Sequence, residues 1–213
     1  MKIIHGDTEL RRRNLPHLER RGASYFITWR LAGTIPTELL DKLRFQTRAL
    51  AGRAEDSRND SKKREQAAAE HKRLFAQFDR FLDAGNTGPK FLADPRMAEI
   101  VLNVVKDQTS IASIDCFTVM PNHAHILFTP IAPHTARDVM KRIKQISAYR
   151  CLKIDRSASP FWEEENYDHI VREGEWARIL IYILQNPVVA GLCKHWRDWP
   201  WTYLAEEFPG LPE

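Results

Sequence analysis

The chain has 213 residues, enough for one sizeable core, with 43% apolar and 28% charged residues and a formal net charge of +4. An isoelectric point near 9.0 suits a polyanionic partner without requiring one. Cys116, Cys151 and Cys193 are odd in number and far apart, which excludes a disulfide framework. No apolar leader opens the chain and no run approaches the ~20 apolar residues of a membrane span, so the expectation is a cytoplasmic protein with no membrane partner.

We read residues 1–213 as a single domain. Residues 1–22 are polar and rich in arginine, an expected surface arm in which Arg11, Arg12 and Arg13 are candidate phosphate contacts. Tyr25–Leu31 is rich in β-branched and aromatic types and reads as a first strand. Thr37 is placed to cap a helix that begins near Glu38 and carries Leu39, Leu40, Leu43 and Leu50. Residues 51–90 form a charged helical insertion, with a loop or frayed helix over 51–63. A helix over 64–84 follows, whose stripe is Leu74, Phe75, Phe78, Phe81 and Leu82. Gly85–Pro89 stops it, and Asp94-Pro95 opens a helix to Asp107.

Two strands are predicted next, 111–120 and 123–129, joined at Pro121-Asn122, where proline fixes φ and asparagine tolerates turn geometry. Side chains two apart share a strand face, so His123 and His125 project together and Ala124 points the other way. Two imidazoles on a rigid strand make half of a metal site. A long helix is expected over 134–155. Its inward positions are Val139, Ile143, Ile146 and Leu152, and its opposite side presents Arg137, Lys141 and Lys144, a solvated face or a phosphate track. Residues 156–172 read as irregular.

A last helix runs from about Glu175 to Asn186, closed by Pro187 and Gly191. Its core stripe is Trp176, Ile179, Leu180, Ile183 and Leu184. Tyr182 and Asn186, four apart, stack one turn above the other on the flank of that stripe, ~6 Å along the axis. The tail over 193–213 is aromatic and is expected to pack back on the body.

Met120-Pro-Asn-His123-Ala-His125-Ile-Leu127 followed by Tyr182-Ile-x-x-Asn186-Pro-x-x-Ala-Gly-Leu192 is a joint pattern. It resembles the REP-associated tyrosine transposases, a branch of the single-tyrosine HUH transposases. Further matching pieces are Arg21-Gly22, Phe161-Trp162 and Tyr167–Arg172, so the likeness spans roughly residues 20–205. The resemblance implies an α+β fold, a ferredoxin-like antiparallel sheet covered by helices. It implies His123, His125 and Asn186 as metal ligands and Tyr182 as nucleophile. It further implies single-stranded DNA with hairpin or palindromic elements as partner, cut to leave a 5′-phosphotyrosine, by a monomer or homodimer. Residues 51–90 are longer and more charged than that family's core leads one to expect.

The chemistry is coherent. A hard cation, Mg²⁺ or Mn²⁺, neutralises a phosphodiester, and covalent attack by tyrosine divides one transfer into two reversible steps. Tyr149 and Tyr167 are rival nucleophiles by residue type, but neither has an amide four residues on. Other readings are a binding module stacking bases on Phe26, Phe117 and Phe128, a zinc hydrolase adding Asp168 or His169 to the histidine pair, and an interaction scaffold built on the 64–84 helix.

Overall fold

In this computed structural model the described residues are 2–5, 8–12, 16–36, 38, 41, 45, 61–84, 88–206 and 208. Five strands form one antiparallel sheet in the order β7-β4-β6-β5-β8: β4 is Tyr25–Arg30, β5 Ala112–Val119, β6 His123–Pro130, β7 Tyr167–Ile170 and β8 Thr202–Leu204. The helices are α1 Ser61–Ala84, α2 Pro95–Lys106, α3 Ala136–Cys151 and α4 Trp176–Val189. Strands β4, β5, β6 and β7 with α2 and α3 follow one another as βαββαβ, and their spatial order is that of a ferredoxin-like sheet. Strand β8 extends its free edge. The predicted strands at 25–31, 111–120 and 123–129 therefore share one sheet, and the helices predicted at 95–107 and 134–155 cover it. Among the described residues no helix is long and apolar enough to cross a membrane.

The two faces of the sheet have different partners. Ile27, Trp29, Ala124, Ile126 and Phe128 face α2 and α3, meeting Met97, Val101, Val139 and Ile143 in the larger core. Phe26, Cys116 and Leu127 face α4, meeting Ile179, Leu180, Ile183 and Leu184. The inward positions of β5 switch from Ala112 and Ile114 to Phe117 and Val119, because the register shifts between Ile114 and Cys116. That bulge aims Asp115 at α4, where its Oδ2 accepts from Trp176 Nε1 at 2.7 Å.

Local signals place the helix ends. Asp94 accepts from Arg96 N at 2.9 Å and Pro95 occupies the first turn of α2. Thr135 and Asp138 form a reciprocal capping box on α3. Pro187 does not close α4, contrary to the sequence reading; the helix carries it and runs on to Val189. The stop comes from Gly191 at φ +71°, with Gly191 N donating to Val188 O and Leu192 N to Pro187 O, both at 2.9 Å. This is a Schellman closure.

The N-terminal stretch is not an arm. Lys2–His5, Thr8–Arg12 and Pro16–Arg20 are strands β1, β2 and β3 of a separate antiparallel meander. Arg11 pairs with Lys2 and His17 along its ladders. The side chains of Arg11 and Arg12, and all of Arg13, lie outside the described residues. So do Thr37, the leucines expected on the helix near Glu38, and residues 46–60, 85–87 and 209–213. In the segment read as irregular, 167–170 pairs with β4 as the sheet edge. The aromatic tail does pack back: Thr202–Leu204 pairs with β5, and Trp199 Nε1 donates to Val119 O at 2.9 Å.

Candidate active site

His123 and His125 stand on the α4 side of β6, the central strand of the sheet, with Ala124 on the other side. Both rings are fully buried. Their Nε2 atoms lie 3.0 Å apart. Each Nδ1 is engaged from behind. Asn122 Oδ1 accepts from His123 Nδ1 at 2.6 Å, while Asn122 Nδ2 donates to Leu82 O of α1 at 2.9 Å. The amide orientation is thus fixed, and it leaves the lone pair of His123 Nε2 facing the site. His125 Nδ1 lies 2.7 Å from Thr28 Oγ1, the residue opposite it on β4. A hydroxyl both donates and accepts, so Thr28 serves either tautomer of His125.

The surroundings come from three elements. From α4, Tyr182 brings its ring to 5.6 Å from that of His125, and Asn186 Nδ2 reaches 3.5 Å from the Tyr182 hydroxyl, the outer limit of a hydrogen bond. Asn186 is buried, and its Oδ1 has no hydrogen-bond partner among the described residues. From α1, Asp79 Oδ1 lies 3.6 Å from His125 Nε2, and Asp83 Oδ1 lies 3.7 Å from His123 Nε2. Neither oxygen has a hydrogen-bond partner among the described residues. From β4, the buried Arg30 stands opposite His123, 3.3 Å from Glu163, with its guanidinium over the Phe78 ring of α1.

Burial drives the electrostatics. It pushes His123 down to about 3 and His125 well below the ordinary range, the latter with help from His123 and against a weaker pull from Asn186. It pushes Asp79 up to about 8, with Asp83 adding to the effect, and Asp83 itself up to about 6. Without a cation both imidazoles are neutral, with their Nε2 atoms 3.0 Å apart, and the Oδ1 atoms of Asp79 and Asp83, which have no hydrogen-bond partner among the described residues, lie beside them. Such a cluster of buried donor atoms suits a cation, which would bind with loss of the carboxyl proton.

The residues fit such an ion. Two ligands at ~2.1 Å and right angles lie ~3.0 Å apart, the spacing the imidazole pair adopts. Asp79, His123 and His125 each offer a ligand atom within 4.8 Å of the other two, and they form a group able to hold a metal ion. The orphaned Asn186 Oδ1 is one more oxygen of the right kind.

The structure therefore brings Tyr182, His123, His125 and Asn186 together. The phosphate track does not join them. Arg137 and Lys141 are exposed on α3, which packs on the opposite face of the sheet. Lys144 instead clamps a loop, donating to Glu163 O, Glu164 O and Asn166 Oδ1 at 2.6–2.9 Å. Tyr149 is exposed on α3. Tyr167 stacks on Phe75 at 4.1 Å between centroids, and burial holds its phenol far above the ordinary range. Phe26, Phe117 and Phe128 are buried in the two cores, so none of the three is open to a base. His169 bonds Glu175 at 2.7 Å rather than joining the histidine pair.

Sequence reasoning missed Asp79, Asp83, Arg30 and the roles of Thr28 and Asn122. Asp79 left a trace. Positions 75, 78, 79 and 82 are one helical face, and Asp79 is the charged residue in it.

No protein-family model and no curated protein matches the sequence. Solved structures do align with it. A protein of Deinococcus radiodurans R1 with a provisional transposase assignment aligns over 76% of this chain and 89% of its own, at 14% identity and a TM-score of 0.34. A REP-associated tyrosine transposase bound to a REP hairpin aligns over 90% of this chain and 79% of its own, at 18% identity and a TM-score of 0.50. What is shared at that identity is the fold: in its antiparallel α+β architecture the chain is similar to a REP-associated tyrosine transposase.

Proposed function

We propose that the chain nicks and rejoins single-stranded DNA at hairpin or palindromic sequences, with Tyr182 as nucleophile and a divalent cation, Mg²⁺ or Mn²⁺, held by His123, His125 and Asn186. The observation that supports this most is the meeting of Tyr182, Asn186 and the two buried histidines from separate elements, α4 and β6, on one side of the sheet. The fold neighbour that binds a REP hairpin supports the choice of DNA.

When bound, the cation neutralises a non-bridging phosphate oxygen and polarises phosphorus. The chain's own residues do the rest. The Tyr182 oxygen bonds phosphorus and loses its proton to water, the bond from phosphorus to the 3′ oxygen breaks, and that oxygen leaves as a 3′-OH after gaining a proton. The 5′-phosphotyrosine conserves the bond, so an incoming 3′-OH reverses the step and frees the phenol. Asn186 Nδ2 orients the phenol through the 3.5 Å contact. Asn122 and Thr28 fix the imidazoles so that little reorganisation remains. Phe75 lies against both Tyr182 and Tyr167, so α1 covers the nucleophile in the DNA-free chain.

The test is a denaturing gel of end-labelled single-stranded hairpins with Mg²⁺ or Mn²⁺. A covalent adduct at the 5′ side of the cut is expected for wild type, and it should disappear in Tyr182→Phe while DNA binding persists. Survival in Tyr182→Phe with loss in Tyr149→Phe or Tyr167→Phe would identify another nucleophile. No adduct in wild type on any hairpin would leave a binding protein.

A further inference from the structure

We propose that Asp79 of α1 is itself a ligand of the cation in the DNA-free protein, so that the ion fastens α1 to the sheet. This rests on the metal-dependent reading above and extends it to a segment outside the motifs that suggested that reading.

Asp79 is nearly as buried as the histidines it faces, at 5% exposure. Its Oδ1 lies 3.6 Å from His125 Nε2 and has no hydrogen-bond partner among the described residues. A buried carboxyl oxygen left without a donor is costly, and the fold tolerates it only where something offsets the loss. His125 Nε2, 3.6 Å away, lies beyond hydrogen-bond reach of Asp79 Oδ1. The His123 and His125 Nε2 atoms are 3.0 Å apart and Asp79 Oδ1 is 3.6 Å from His125 Nε2, both shorter than the ~4.2 Å between opposite corners of an octahedron with ~2.1 Å bonds. Asp83, one turn on, lies nearer the surface with 17% of its side chain exposed, and it serves as an internal control for charge alone.

The position of α1 fits this role. Leu82 O accepts from Asn122, so the helix already touches the residue that orients His123. Phe75 and Phe78, in the turn before Asp79, cover Tyr182 and Arg30 respectively. A bond from the ion to Asp79 would hold this whole cover down. A carboxylate also supplies the negative charge that a phosphodiester brings when it enters.

The experiment uses the full chain without DNA. Free Mn²⁺ is followed by electron paramagnetic resonance during titration of wild type, Asp79→Asn and Asp83→Asn, and backbone hydrogen exchange in α1 is followed with and without Mn²⁺. Asp79→Asn should weaken Mn²⁺ binding by roughly tenfold or more, and Asp83→Asn by much less. Mn²⁺ should slow exchange in α1 of wild type but not of Asp79→Asn. Equal weakening in both variants overturns the assignment, since charge and not coordination would then explain it. Mn²⁺ bound by wild type with no change in α1 exchange also overturns it, and needs no variant to fold. Tight Mn²⁺ binding through Asp79 without any DNA adduct would overturn the nicking reading alone.

Discussion

The side chain of Asn122 holds His123 and α1 at once: its oxygen accepts from His123 Nδ1 at 2.6 Å and its amide donates to Leu82 O at 2.9 Å. Removing both groups in Asn122→Ala leaves a buried carbonyl unpaired, at about 1–3 kcal/mol, and lets the ring turn. Mn²⁺ affinity should fall by roughly 10–100-fold. Asn122→Asp keeps the oxygen toward His123 and loses the donor to Leu82, so it should retain affinity while losing stability. Titration and denaturant unfolding of both variants separate the two bonds. Unchanged affinity in Asn122→Ala would remove its positioning role.

The site should give the metal-free protein an unusual pH profile. His123, pushed down to about 3, contributes stability that is present above 6.5 and is lost as pH falls toward 3. Asp79 and Asp83, raised to about 8 and about 6, contribute stability that is full below 3.8 and is lost as pH rises through those values. The slopes oppose each other between 3.8 and 6.5. From about 6.5 to 8 Asp79 acts alone, so stability should fall with pH by an amount on the order of 2 kcal/mol. Urea unfolding in chelator at pH 6.5 and 8 measures this, and Asp79→Asn should flatten the curve. A rise over that window would contradict the burial of the carboxyl.

A DNA-binding role for α3 is separable from fold support. Arg137 and Lys141 are exposed, whereas Lys144 holds the 163–166 loop. Reversing Arg137 and Lys141 to glutamate should weaken binding across all hairpin sequences and lower the salt slope by about 1.4–1.8, at ~0.7 to 0.9 for each phosphate no longer neutralised. Lys144→Met should instead lower the unfolding midpoint. Binding isotherms at several salt concentrations decide the first, and an unchanged slope returns that face to solvent.

Gly88, just beyond α1, has φ +78°, and a Cβ there would lie 2.5 Å from Gly33 O and 2.6 Å from Thr34 Cα. Gly88→Ala should cost roughly 2–4 kcal/mol. Gly174 has φ +76° with nothing within 4 Å of its Cβ position, so Gly174→Ala should cost only about 1 kcal/mol. Equal costs would mean that the close approach near Gly33 relaxes freely.

The sheet and its two covering helices were legible because their signals are local: the β-branched and aromatic run Tyr25–Arg30, the Pro121-Asn122 turn, the Asp94-Pro95 start. So was the pairing of the histidines, since strand parity alone puts them on one face. The edge strand at Tyr167–Ile170 escaped because four half-exposed residues carry no period, and β8 because its partners lie 84 positions away, as at Thr118 and Thr202. Pro187 misled because proline is ordinarily a helix stop, whereas α4 runs through it to Val189 and ends on the Gly191 cap. Asp79 and Asp83 escaped for a different reason. Their chemistry depends on where α1 docks, and no residue on α1 encodes which imidazoles it will meet.

Strand β4 ends at Arg30 and α2 begins at Pro95, so α1 lies wholly within one connection and belongs to no ladder of the sheet. Connections tolerate changes of length far better than ladders do. Phe75, Asp79 and Asp83 are therefore heritable as a single cassette. One insertion or deletion event adds or removes both acidic groups and the aromatic cover together, while Tyr182, Asn186 and the two histidines keep their places. Descendants of one ancestral sheet can in this way diverge in the charge of their reaction centre without altering a single strand.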